Sequence, residues 1–128
     1  MTIEVLTLCD YAQHIGDKLN VIGTFNTVTI DNLSMPFTFH IVARFRYTKE
    51  EFGNKDVFFN MISPSGAEVL KGLKATCAMA KTEEPFMSTS LSLCLANFVF
   101  TEYGVYKILV ETDGVIYELP LNVKQPIK

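Results

Sequence analysis

Three basic side chains alternate with apolar ones along one stretch of the chain, and their spacing suits them to hold an anion. His40, Arg44 and Arg46 occupy even-numbered positions between aromatic and aliphatic residues. On a β-strand these positions share one face, with Arg44 and Arg46 about 6.6 Å apart. Two guanidinium groups at that separation are able to grip a carboxylate or a phosphate. The sequence therefore predicts ligand binding at these three residues, although such a row is more often a solvated sheet face paired with acids on the next strand.

A second group of reactive side chains lies near the N-terminus. Cys9, Asp10 and His14 are residue types that bind zinc or build nucleophilic sites. The set lacks a second pair of ligands at the usual spacing, and on a strand Cys9 and Asp10 point to opposite faces. We therefore expect a buried Cys9, an Asp10 that hydrogen-bonds a nearby turn and an exposed His14. No metal and no cofactor is predicted.

The remaining candidates for catalysis are weaker. Glu50–Glu51 and Glu83–Glu84 are adjacent carboxylates in polar turns, whereas acid–base pairs must converge on one bond. Ser63–Gly66 lacks the Gly-x-Ser-x-Gly pattern of a nucleophile elbow. The chain has no glycine-rich phosphate loop and no Cys-x-x-Cys. These observations favour a protein that is not an enzyme.

The elements that would position these residues are strands. From Phe37 to Tyr47 every odd position is apolar or aromatic, and this period of two predicts a long strand with one face inward. Asp113–Gly114 is a strong signal for a two-residue hairpin turn. Residues 66–80 contain good helix formers and are the best helical candidate, but the pattern from Val69 to Met79 fits a strand better. We predict one domain over residues 1–128, an all-β antiparallel β-sandwich of about eight strands, immunoglobulin-like or jelly-roll-like.

Single residues give finer expectations for this fold. Gly23 interrupts a strand, which suggests a bulge or a close backbone approach. Pro120 cannot donate to a ladder, so its strand lies at an edge or carries a bulge. The Tyr103–Tyr106 segment, with Gly104 inside it, resembles a tyrosine corner. The first strand, predicted from Ile3 to Tyr11 and followed by a polar bend at residues 14–18, is apolar on both faces and is expected to be covered on both.

Composition narrows the possible partners. The chain has 128 residues, a net charge of −3 and 48% hydrophobic residues. The basic field typical of nucleic-acid binding is absent, and no apolar run is long enough to span a bilayer, so neither nucleic acid nor membrane is an expected partner. The start Met1-Thr2-Ile3-Glu4 does not have the pattern of a signal peptide, and three cysteines are expected as free thiols. Both features predict a cytoplasmic location.

Several segments together resemble a known family. They are Leu8–Ala12, Lys18–Phe25, Ile41–Arg46 and the closing hairpin that begins with Tyr103-Gly104-x-Tyr106. They are similar to an uncharacterised family of small bacterial proteins, a domain of unknown function. The resemblance implies a bacterial β-sandwich with no established activity, so it supplies no catalytic residues.

Three functions are compatible with these observations. The first is a non-catalytic binding or assembly module that acts through its sheet surface and forms a two-fold homodimer, because the first strand and Val115–Ile116 offer more apolar surface than one core needs. The second is a small anion-binding or ligand-binding protein, or an enzyme, with a pocket near His40, Arg44 and Arg46. The third is a structural component of a phage-like assembly, which is an analogy of fold alone.

Overall fold

The computed structural model describes residues 1–127, and their regular structure is almost entirely β-strand. The all-β prediction is confirmed. One short 3-10 turn, Lys49–Glu51, follows the fourth strand. The nine strands are β1 (Thr2–Ile15), β2 (Lys18–Phe25), β3 (Thr27–Thr29), β4 (Phe37–Thr48), β5 (Gly53–Ile62), β6 (Glu68–Met79), β7 (Phe86–Phe98), β8 (Gly104–Thr112) and β9 (Val115–Lys124).

These strands form two sheets. Sheet A has the order β2-β1-β4-β7, and sheet B has the order β3-β9-β8-β5-β6. All pairs are antiparallel except β3 with β9, which is parallel. The segment from Leu19 to Ile30 is one stretch of strand-forming residues, rich in Val, Ile, Thr and Phe. The structure divides it into β2 and β3, because the chain leaves sheet A after Phe25 and pairs with β9 of sheet B from Thr27.

One hydrophobic core connects the inner faces of both sheets. The odd-numbered side chains of β4 point into it, and Phe39, Ile41 and Phe45 are at most 1% exposed. Side chains of β5, β8 and β9 complete the same cluster from sheet B. The alternation predicted from Phe37 to Tyr47 is therefore confirmed, and it places the even-numbered side chains of β4 on the outer face of sheet A.

Local turn chemistry agrees with the sequence in two places. Asp113 and Gly114 adopt positive φ angles of 53° and 76°, as a tight two-residue hairpin turn requires, and Thr112 pairs with Val115. The Tyr106 hydroxyl donates to the Glu102 carbonyl oxygen at 2.8 Å and accepts from the Glu102 N–H at 3.1 Å. This ring is fully buried, so the tyrosine corner is formed by Tyr106.

The edge expected for the strand of Pro120 is not found, because β9 lies between β3 and β8, but Pro120 itself lies beyond the end of the short strand β3. The Asn122 N–H donates to the Asn26 carbonyl on the β3 side of β9, at 2.8 Å. Main-chain groups two residues apart on a strand point the same way, so the Pro120 nitrogen faces that side too. Pairing with β3 begins only at Asn122, and Pro120 thus faces an open edge where no donor is needed.

The first strand is longer than predicted and changes partner halfway. Its pairing with β4 ends at Cys9, opposite His40, but its pairing with β2 continues to Ile15. We call residues 10–22 the arm. The bend predicted over residues 14–18 is confined to Gly16 and Asp17, because β1 and β2 remain paired up to that turn.

The arm lies over the outer face of sheet A and covers a second, smaller apolar layer. Cys9 and Val42 are 0% exposed, yet neither belongs to the main core. Ala12, Leu19 and Val21 of the arm are partly buried and are also outside that core. The expectation that the first strand is covered on both faces is therefore correct at Cys9.

Candidate functional site on the outer face and free edge of sheet A

Arg44 stands at the centre of the outer face and is held by three hydrogen bonds. Its Nε donates to Glu4 Oε1 at 3.2 Å, and its Nη1 donates to the Asp17 carbonyl and to Ser90 Oγ, both at 3.0 Å. The side chain is only 23% exposed. Arg44 thereby joins three segments: the start of β1, the tip of the arm and β7.

Glu4 is the acid that pairs with both arginines. It lies where the register between β1 and β4 shifts, between Ile3 and Val5. Its second oxygen is 3.8 Å from Arg46 Nη1, and Ser88 donates a hydrogen bond to the first. The Ser88 hydroxyl and then the charges of the two arginines lower the pKa of the Glu4 carboxyl below its ordinary value. The other interpretation of these basic residues is a solvated sheet face paired with acids on the next strand. Glu4, on the neighbouring strand β1, is such an acid.

His40 lies apart from the two arginines. Its Nδ1 is 3.2 Å from the Asp10 carbonyl oxygen, and its ring meets the edge of the Tyr11 ring at 6.3 Å between centroids. The structure therefore brings Arg44 and Arg46 together on Glu4. His40 instead contacts Asp10 and Tyr11, the first two residues of the arm. Ligand binding by these three residues stays a prediction.

A cleft of about 190 Å³ lies between the arm tip and the outer face. Arg44 lines it, but Arg46 and His40 do not. His14 and Lys18 add basic groups from the arm, and Asp17 adds an acid. An anion in this cleft would meet Lys18 and His14, while the Nε and Nη1 donors of Arg44 already have partners within the chain.

The reactive residues near the N-terminus are not brought together as a site. Cys9 is buried, as expected, and burial raises the pKa of its thiol. Asp10 packs against Gly23, and the exposed His14 has its Nε2 3.3 Å from Ser92 Oγ. Among residues 1–127, no group of three His, Cys, Asp or Glu side chains is placed to hold a metal ion.

Strand β7 is a long free edge of sheet A with little of the usual protection against strand pairing. It runs for 13 residues and contains no charged residue, proline or glycine. Natural edge strands are normally short, or are blunted by charges, prolines or bulges, because their free N–H and C=O groups attract other strands. Its register with β4 shifts between Leu95 and Phe98, where Asn97 has a φ of +53°, so a bulge lies at the C-terminal end and the edge is open to pairing from Phe86 to Leu95.

The other three edges of the two sheets are each short or carry lysines, which β7 lacks. β2 contains Lys18 and the positive-φ Gly23, and β3 is only three residues long. β6 carries Lys71 and Lys74, and its register with β5 shifts twice. β7 therefore differs from the three other edge strands of the same small domain.

The core side of β7 is incompletely covered. Leu91 and Leu93 face the core but remain partly exposed, whereas their partners on β4, Ala43 and Ile41, are 1% exposed. An additional strand beside β7 would cover these two leucines. The alternation of serine and leucine from Ser88 to Leu95 predicts a strand but does not reveal that this strand is an edge. The signal in the sequence was the absence of charge from residue 86 to residue 101.

The outer face of sheet B offers a second apolar surface. Phe58 and Ile116 are 46% and 61% exposed, and they border a cleft of about 300 Å³ that Leu73 and Leu109 also line. Charged side chains of both signs surround it, including Lys71 and Glu111. Nothing in this arrangement selects one partner chemistry.

The comparisons with known proteins agree with the resemblance seen in the sequence. Across residues 1–127, no helix is long and apolar enough to cross a membrane. Neither a curated protein nor a solved structure matches the chain. The expected membership of an uncharacterised family is confirmed, and the bacterial origin stays a prediction. A family model matches residues 4–124, nearly the whole chain, and the chain therefore belongs to DUF6941, a family of unknown function.

Proposed function

We propose that this protein is a non-catalytic binding or assembly module that acts through its sheet surface, and that its binding element is the free edge of β7. The observation that carries the proposal is the uncharged 13-residue edge strand in a chain whose other edges are protected. Extended segments bind such edges by strand addition. Main-chain hydrogen bonds supply the affinity, and alternate side chains supply the specificity.

The fold is consistent with this function because its two packed sheets hold the edge strand β7 rigidly. We interpret the two sheets as the layers of a β-sandwich, because one core joins their inner faces. The corner at Tyr106 favours the immunoglobulin-like form over the jelly roll. The cytoplasmic location and the role in a phage-like assembly stay predictions.

Binding of an extended peptide tests strand addition directly. The probe is a fluorescent peptide with the sequence of residues 86–98 and lysines added at both ends, and the readouts are fluorescence anisotropy and hydrogen exchange of the β7 amides. We expect saturable binding that slows exchange in β7. Ser92→Lys places a charge on this edge and should weaken binding, whereas Thr76→Lys, on the edge strand β6, should not. An absence of binding to the folded chain, or equal loss in both variants, would contradict the proposal, unless the chain already occupies its own edge as a dimer.

Anion binding under the arm is the second candidate function. The cleft that contains His14, Lys18 and Arg44 is the observation that favours it. Thermal-shift measurements with phosphate, sulfate and small carboxylates test it, with Lys18→Ala as the variant that should remove any stabilisation. If none of these anions raises the unfolding temperature of the unmodified chain, anion binding under the arm is excluded.

A further inference from the structure

The absence of charged side chains allows β7 to pair with an identical strand. Its nearest charged neighbours along the chain are Glu84 before it and Glu102 after it. Two copies of β7 therefore meet without like charges opposite each other, which is the usual obstacle to pairing between identical strands. A charged partner strand would find no counter-charge on β7, whereas the second copy brings an uncharged strand of equal length.

We infer that the occupant of the β7 edge is β7 of a second copy of this chain, paired antiparallel about a two-fold axis at Ser92. This inference rests on the proposed function and names its partner. Overlap of two strands that each cover residues 86–98 places the axis at residue 92, and the regular ladder around it spans residues 89–95, clear of the bulge near Asn97. The pair gives a continuous sheet of eight strands, four from each copy.

The register about Ser92 matches the side chains on both faces. On the core side, Leu91 lies opposite Leu93 of the second copy, so the partly exposed leucines of each chain cover those of the other. On the outer face, Ser92 lies opposite Ser92 and Ser90 opposite Cys94. An antiparallel ladder over residues 89–95 forms about six to eight main-chain hydrogen bonds, which replace those that the edge now makes with water.

A charge exchange at the axis tests both the pairing and its register. Ser92→Lys and Ser92→Glu each place like charges opposite each other in a homodimer, whereas a mixture of the two variants places a lysine opposite a glutamate. We expect the unmodified chain to have twice its 14.4 kDa mass in light scattering. Each variant alone should dissociate at least about tenfold more readily, and the equimolar mixture should regain the dimer.

The controls separate loss of pairing from loss of folding. Thermal unfolding should show that both variants remain folded, although Ser92 contacts His14 of the arm. Thr76→Lys, on the outer face of the neighbouring edge strand β6 of sheet B, should leave the dimer unchanged. A monomeric unmodified chain, a dimer that persists in Ser92→Lys, or a mixture that stays monomeric would overturn the inference.

The two proposals fail in different ways. A monomeric chain whose β7 still takes up the labelled peptide refutes the homodimer and leaves strand addition intact. A monomeric chain that takes up no peptide refutes both.

Discussion

The Nη1 of Arg44 donates to the main-chain carbonyl oxygen of Asp17 at 3.0 Å and so fastens the tip of the arm to the middle of β4. The arm leaves the sheet at Cys9 and makes its strand pairs only within itself beyond that point. The arginine therefore holds the far end of a hairpin whose near end is fixed by the sheet. Between these ends Val42 and Cys9 lie fully buried.

Replacement of Arg44 should loosen the arm. Arg44→Ala removes three hydrogen bonds and leaves the Glu4 carboxylate without its closest cation. We expect a loss of about 1–3 kcal/mol in the free energy of unfolding, measured by urea denaturation, and faster hydrogen exchange in residues 10–22. The control is Arg46→Ala, because Arg46 is 46% exposed and 3.8 Å from Glu4, and it should cost less than about 1 kcal/mol. Equal losses in the two variants would argue against the fastening role.

The ionisation of Glu4 should contribute to stability at neutral pH. Its pKa is lowered in the folded chain, first by the Ser88 hydroxyl and then by the arginine charges. A lowered pKa in the folded state stabilises the fold above the pKa of the unfolded chain, and this contribution is lost as the pH falls through the folded pKa. An NMR titration of the Glu4 side chain should show the low pKa, and Ser88→Ala should raise it. Ser34→Ala, in a distant loop, should leave it unchanged; an identical titration of Glu4 in all three chains would disprove the assigned cause.

Gly23 should resist substitution more strongly than Gly16, the glycine at the tip of the arm. Its φ is +71°, and an added Cβ would lie 2.5 Å from Asp10 Oδ2. Gly16 has a similar φ of +61° but open space around it, so Gly16→Ala should cost about 1 kcal/mol from backbone strain alone. Gly23→Ala should cost clearly more in urea denaturation, and adding Asp10→Ala should recover part of the difference. Equal costs for the two single variants would show that the close approach has no energetic weight.

The three thiols should differ in reactivity. Cys94 is exposed, whereas Cys9 and Cys77 are buried and burial raises the pKa of both thiols. Titration of the folded protein with a thiol reagent near pH 8 should label one cysteine quickly and two slowly. Cys94→Ser should abolish the fast phase, and denaturation should make all three react together. Rapid labelling of Cys9 in the folded chain would mean that the arm opens often.

Much of the fold follows from short-range signals in the sequence. The alternation around Phe39 and Phe45 fixes which face of β4 is buried, because successive side chains of a strand point to opposite faces. Asp113–Gly114 specifies its hairpin, because few residues tolerate positive φ. Gly23 marks a close approach for a related reason, since it has a positive φ and an added Cβ would meet the Asp10 side chain.

The candidate site was only partly predictable. The sequence placed Arg44 and Arg46 on one face, but their acid, Glu4, lies on another strand. The sequence did not predict the arm. The alternation of apolar and polar side chains is the same whether a strand continues in a sheet or leaves it to fold over the outer face. The acceptor at Asp17 is a main-chain oxygen, which no side-chain pattern reveals.

What the sequence determined by itself is the strand content, the inward faces and the tight turns, since each depends on residues a few positions apart. Only the tertiary structure decided that β7 is an edge strand and that the arm covers Val42, because both follow from pairings between distant segments, such as β4 with β7 and Arg44 with the arm tip. An uncharged strand is ordinary in the interior of a sheet and open to a partner at its edge, so its meaning depends on the strand order.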